Sequence, residues 1–193
     1  MGKGRLEAFS DGVLAILITI MVLELKVPRG GGFGSLGILV PTFLSYVLSF
    51  IYLGIYWNNH HHMMHTVTRV SATILWANLH LLFWLSLVPF VTAWMGENHF
   101  AAPPMALYGG ILLMSAIAYA MLQRTILSSL GPQSRLATAL GRDLKGKISP
   151  ILYALAIPSA FFSHWVAGGL YVLVAMMWLV PDRRIETAYS DKA

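Results

Sequence analysis

The chain has 193 residues, of which 57% are apolar and only 11% charged, with a formal net charge of +5 and no cysteine. Soluble domains carry roughly 25% charged residues, so this chain cannot cover a water-soluble fold. The missing thiols exclude disulfides and thiolate metal sites.

Apolar runs of about 18 to 25 residues recur between short polar or Gly/Pro-bearing stretches, each long enough to cross hydrocarbon as a helix. They predict an all-α integral membrane protein of six transmembrane helices in one domain, residues 1–193, embedded in the lipid bilayer. The first span is expected from about Phe9 to Val27, ended by Pro28 and the run Gly30, Gly31, Gly32. Glu7 and Asp11 interrupt its apolar stretch and no small-residue cleavage site is evident, so this helix is expected to stay. Arg5, Glu7 and Asp11 cluster at one end. Beyond them Gly12, Ile16, Thr19 and Leu23 lie three or four apart and share one stripe, with Ile20 and Val27 at its edge. Two readings follow. One is a helix packed in a bundle, with Thr19 bonded to its own backbone. The other is a pore lining, where rings of Ile16 and Leu23 form dewetting constrictions and Thr19 offers oxygen to a partly dehydrated cation. Composition alone favours the first.

The second span runs from about Leu36 to Trp57, followed by a histidine-rich link, Asn58 to Arg69, carrying His60, His61, His62 and His65. On a helix, a contiguous run fans side chains over about 200 degrees and supplies no carboxylate or cysteine at a fixed offset, so no metal site is expected. Anchoring at the interface is the expected use, with one histidine bonded to Asp11 or to a backbone carbonyl. The third span, about Val70 to Met95, buries Asn78 and His80, for which interhelical hydrogen bonds are expected. Haem would need facing histidines at matched depth; His164 lies at an outer turn, and no cofactor is expected. Pro89, and Pro150 and Pro158 in the fifth span, read as kinks or ends.

Glu97 to Pro104 forms the next loop, and the fourth span covers about Met105 to Leu127. The polar segment Ser128 to Lys147 carries Arg135, Arg142, Lys145 and Lys147. The short fifth and sixth spans, about Ile148 to Phe162 and Trp165 to Val180, meet at a turn near Ser163 and His164. Placing the N-terminus in the cytoplasm puts 11 of the 13 Lys and Arg inside, leaving only Lys26 and Arg29 outside. Both termini are therefore expected in the cytoplasm, in a multi-pass inner (plasma) membrane protein. The basic charge is explained by topology, and nucleic acid binding loses its support. No Walker loop, Rossmann fingerprint, Gly-x-Ser-x-Gly elbow or zinc-protease helix is present, and Ser10 beside Asp11 lacks a triad's convergence, so no enzyme is expected. A Thr-Val-Gly-Tyr-Gly filter is missing as well, which excludes the usual potassium-channel pore loop.

Arg5, Phe9, Ser10 and Asp11, opening the first of these helices, resemble the Arg-x-x-x-Phe-Ser-Asp signature of bacterial relatives of lysosomal transmembrane protein 175. Trp57, Asn59, His60 and His61, and then Asn78 with Pro89, Phe90 and Thr92, are similar to the same family's pattern. The resemblance covers the first half of the chain closely and the rest by topology. It implies a potassium-permeable cation channel with modest preference over sodium, a homotetramer of six-helix subunits without a pore loop, lined by the first helix of each subunit. Carried over by distance from the signature, the constriction falls on Ile16, Thr19 and Leu23. The resemblance gives Arg5, Phe9, Ser10, Asp11, Asn59, His60, His61 and Asn78 a bracing role, with His60 or His61 as partner to the signature. Glu24, one residue past Leu23, would gather permeant monovalent cations at the mouth, and Lys26 would oppose it. The rival expectation is a secondary transporter or proton-permeable pathway using the histidine cluster; carriers show broken helices and intramembrane charges, whereas the charges here lie at helix ends.

Overall fold

The computed structural model describes residues 2–130 and 144–179, which are helical apart from short connections. Arg135, Arg142, Arg183, Arg184, Lys192 and the expected end of the last span at Val180 lie outside the described residues. The first helix, α1 (Lys3–Met21), tightens into a 3-10 turn over Val22–Glu24. A second 3-10 stretch, Phe33–Leu39, feeds α2 (Val40–His65). Pro41 sits in the first turn of α2, where its missing N–H costs no helical bond. Next, α3 (Ala72–Ser86) begins under Ser71, whose hydroxyl accepts from the Ile74 N–H at 3.2 Å. The remaining helices are α4 (Val88–Glu97), α5 (Ala102–Leu130), α6 (Leu144–Ser159) and α7 (His164–Leu179).

Three boundaries differ from expectation. The first helix starts earlier, at Lys3, and its α-helical part stops at Met21 rather than Val27. The histidine segment is no link: nothing from Asn58 to His65 is a Gly or Pro, and α2 continues through it until Thr66, whose hydroxyl bonds to the Met63 carbonyl at 2.7 Å. The third span is two helices, because Pro89 cannot donate to the Leu85 carbonyl. At the break the Leu87 N–H bonds three residues back, to Trp84, at 3.2 Å. Among the described residues, four helical stretches are long and apolar enough to cross a membrane: Lys3–Glu24, Phe33–His65, Ala72–Glu97 and Ala102–Leu130. Both α6 and α7 have 16 residues, about 24 Å of helix, somewhat short of the roughly 30 Å hydrocarbon core.

Helix α1 lies at one side of the bundle, packed on α2, α3 and α4, while α5 bridges α3 and α4 to α6 and α7. Lipid removes the hydrophobic drive between helices, so close packing and polar contacts must hold them. Gly96 supplies such contact: a Cβ there would stand 2.6 Å from the Thr42 Cα on α2 and from the Ser45 hydroxyl. Gly109 does the same for α5 against α7, where a Cβ would run into the Tyr171 hydroxyl. Tyr171 in turn donates to the Met105 carbonyl at 2.8 Å, and Tyr52 donates to the Tyr171 carbonyl at 2.6 Å. After α1, Gly30 adopts φ +122°, which only glycine takes without strain, as the chain turns toward α2.

Candidate pore face and its bracing network

One face of α1 turns into the subunit and the other away from it. Leu6, Ser10, Leu14, Leu17 and Met21, spaced four, four, three and four apart, are buried against the neighbouring helices. Between them Gly12, Ile16, Thr19 and Leu23 face outward. Ile16 is 59% exposed and Leu23 75%, against 1% for Leu14, and a Cβ on Gly12 would meet nothing within 4 Å. Thr19 donates its hydroxyl proton back to α1, 2.9 Å from the Ala15 carbonyl and 3.0 Å from that of Ile16. That bond satisfies the donor and leaves the oxygen lone pairs on the exposed side. Leu23 lies in the 3-10 turn, so the wall of this face ends in tighter winding than the α-helical part holding Ile16 and Thr19.

The buried face is pinned by a polar cluster. Asn78 of α3 donates from Nδ2 to the Ser10 hydroxyl at 2.9 Å, and Ser10 donates to the Leu6 carbonyl at 2.9 Å. His60 Nε2 lies 2.7 Å from Asn78 Oδ1, which can only accept, so this nitrogen carries the proton. Ser10, His60 and Asn78 are all buried, and together they join α1, α2 and α3. Asp11 has a different partner from the one expected: the Trp57 indole N–H donates to its Oδ1 at 3.0 Å, and no histidine reaches it. An indole on α2 spans the gap to α1 because Trp57 falls on the turn below His60 and His61. His61 then faces Trp57, ring centroids 6.0 Å apart, and its Nε2 lies 3.0 Å from that of His65.

Other expected members stand apart. Arg5 and Phe9 are exposed, and Arg5 pairs with no carboxylate among the described residues. Glu7 is approached by Lys3 at 3.8 Å. Asn59 spends its side chain on its own helix, donating to the Ile55 carbonyl at 2.8 Å. It lines a cavity of about 230 Å³ between α2, α5, α6 and α7, together with Tyr56, Tyr119, Arg124, Lys147 and Trp178. His80 accepts from Trp84, four residues on in the same helix, at 2.9 Å, so the interhelical bond expected for it is replaced by an intrahelical one. No group of three or more metal-ligating side chains gathers among the described residues.

At the other end of α1, Lys26 donates to Glu97 of α4 at 2.6 Å. That hydrogen bond, then the carboxylate's charge, raises the Lys26 ammonium above its ordinary 10.5. The expected opposition of Lys26 to Glu24 is thereby offset by a carboxylate that the sequence reading had not paired with it. A second polar chain also went unread: Thr92 Oγ1 lies 2.6 Å from the Ser49 hydroxyl, itself 3.0 Å from the Tyr108 hydroxyl. Its signal was present in α2, where Ser45, Ser49, Tyr52, Tyr56 and His60 recur three or four apart and all are buried.

The family model described as the endosomal/lysosomal potassium channel TMEM175 matches residues 5–89, which contain α1 from Arg5 onward and all of α2 and α3. The chain is 57% identical over 191 residues to a protein of Chryseobacterium sp. (strain P1-3) named a potassium channel, covering 99% of this chain and 100% of that one. It is 32% identical to a potassium channel of Streptomyces collinus, with 91% of each chain covered. Its fold is similar to the crystal structure of a lysosomal potassium-selective channel TMEM175 homolog from Chamaesiphon minutus, with a TM-score of 0.80, 31% identity, and coverage of 93% of this chain and 97% of that one. The chain is a multi-pass membrane protein that belongs to the TMEM175 family of potassium channels, which are not enzymes.

Proposed function

We propose that this chain forms a homotetrameric potassium-permeable channel whose pore is lined by the outward stripe of α1, with Ile16, Thr19 and Leu23 at the constriction. The observation that carries the reading is that Gly12, Ile16, Thr19 and Leu23 run along the middle of the face of α1 that the described residues of its own subunit leave open. The opposite face is held by Ser10, Asn78 and His60 and by Asp11 on Trp57, so the open face is presented at a fixed angle. Around a symmetry axis, Ile16 and Leu23 make apolar rings that exclude water when narrow, and Thr19 makes a ring of oxygen acceptors between them. Its hydroxyl proton is already committed to α1, so the lone pairs meet the ion. A single oxygen layer replaces only part of a hydration shell, which gives a modest preference for K+ over Na+. No pore loop takes part. Glu24, with Lys26 held by Glu97, makes the outer mouth cation-attracting. All six spans cross the inner membrane, both termini are cytoplasmic, and no cofactor is needed beyond the permeant ion.

The transporter reading draws on the break at Leu87, since carriers use interrupted helices. The polar groups joined just beyond it, Ser49, Thr92 and Tyr108, carry no charge, and a kink imposed by Pro89 accounts for it. Potassium flux from liposomes holding the purified protein separates the two, with sodium and proton gradients as controls. The channel gives passive, saturation-free K+ flux that Leu23→Ala increases; flux that requires a coupled second ion would establish the transporter.

A further inference from the structure

We infer that His61 and His65 form a binding site for divalent transition-metal ions on the surface of α2. The two residues stand four apart on one helix, so their side chains rise from adjacent turns on one face. Their Nε2 atoms lie 3.0 Å apart, and both rings are solvent-exposed. Two imidazole nitrogens on one tetrahedral zinc, each at about 2.0–2.1 Å, stand about 3.3 Å from each other. The present pair therefore needs only a few tenths of an ångström of opening to take an ion. The contact now holds one N–H between two nitrogens. When a metal enters, that proton moves to the Nδ1 of its own ring and both Nε2 lone pairs turn to the ion; acid, by protonating either Nε2, competes with metal.

The contiguous histidine run argued against a metal site because neighbours on a helix diverge, and that holds for His60, which is buried against Asn78; the His62 ring stands edge-on to His61 with centroids 5.8 Å apart, against 4.4 Å for His61 and His65. The pair four apart escapes the argument. Two imidazoles without a third side chain leave the remaining positions to water, which makes the site weak and reversible. Imidazole donors favour Cu²⁺, Ni²⁺ and Zn²⁺ over Mg²⁺ and Ca²⁺. Lys3, whose ammonium bonds to the His65 carbonyl at 2.9 Å, opposes a cation, and Glu7, 3.8 Å from that ammonium, offsets part of its charge. His61 also faces the Trp57 ring, and Trp57 holds Asp11 of α1, so the ion would sit two contacts from the helix that carries the exposed stripe. The site stands on this geometry whether or not α1 lines a pore.

The test is equilibrium dialysis of the full chain in lipid nanodiscs, purified without a histidine tag, against Zn²⁺, with Ni²⁺ and Mg²⁺ in parallel arms. One Zn²⁺ per chain is expected, with no uptake of Mg²⁺. His61→Gln and His65→Gln should each weaken it roughly tenfold or more, since loss of even an indirect support costs that much, and His62→Gln should leave it intact. A second readout is Ni²⁺ quenching of tryptophan emission, whose amplitude should fall in Trp57→Phe. No Zn²⁺ uptake at millimolar metal, or uptake reduced as much by His62→Gln as by His61→Gln, would overturn the assignment.

Discussion

Asn78 is the residue whose removal should most disturb the attachment of α1. It is fully buried and joins Ser10 at 2.9 Å to His60 at 2.7 Å, so Asn78→Leu removes two interhelical hydrogen bonds while roughly keeping volume. Interhelical bonds in membranes are worth about 0.6 kcal/mol on average and at most about 1.7, so the pair contributes about 1–3 kcal/mol. The loss is uneven between the partners. Ser10 keeps its bond to the Leu6 carbonyl, whereas His60 is left with a buried N–H and no acceptor, which places the cost toward the upper end. Asn59→Leu is the matched control: its side chain bonds only to Ile55 on its own helix, and the cost should stay below about 0.5 kcal/mol. Reversible unfolding in mixed micelles, followed by tryptophan emission, measures both. Equal stability of Asn78→Leu and wild type, or an equal loss in Asn59→Leu, would refute the assignment of the brace to the Ser10, Asn78 and His60 cluster.

Gly96→Ala should cost about 1–3 kcal/mol in the same assay, because its Cβ would meet the Thr42 backbone at 2.6 Å, which no rotamer change relieves. Glu97→Gln should leave Lys26 uncompensated beside Glu24 and lower K+ conductance at low ionic strength, with the difference fading toward 1 M salt; a difference that persists there would argue against an electrostatic origin. The same pair sets a pH dependence. Lys26 is raised in the folded state, so its stabilisation is fully present below 10.5 and is lost as pH rises through the higher folded value. Unfolding midpoints of wild type and Glu97→Gln should therefore keep a constant offset from pH 6 to pH 9 and converge above 10.5.

Much of this architecture is legible in the sequence because membrane helices declare themselves by run length, and the stripe on α1 follows from spacing alone. What spacing could not settle was which face of α1 is covered, since the alternate positions Leu14 and Leu17 are as apolar as Ile16 and Leu23. The partners of the polar residues were hidden for a different reason. Trp57 stands in the segment where partners for Asp11 are expected, but the histidines beside it are the more evident donors, so the expectation falls on them rather than on the indole. The serines and tyrosines of α2 carry no motif, and only their three- and four-residue spacing marks the shared buried face. Histidines are polar but do not break a helix, so polarity alone ends α2 too early, and Pro89 kinks a helix without ending the membrane crossing, so the apolar run around it reads as one span.

The central claim is that the outward face of α1 meets the permeating ion. The chain contains no cysteine, so a single Thr19→Cys offers one reactive thiol at the proposed oxygen ring. Potassium flux from liposomes, recorded before and after a cationic, membrane-impermeant thiol reagent, tests the claim directly, with wild type and Leu14→Cys as controls. The account predicts that the reagent blocks flux in Thr19→Cys and leaves both controls unchanged. A Thr19→Cys channel that conducts K+ and is modified without loss of flux, or is never reached by the reagent, would place Thr19 away from the pore.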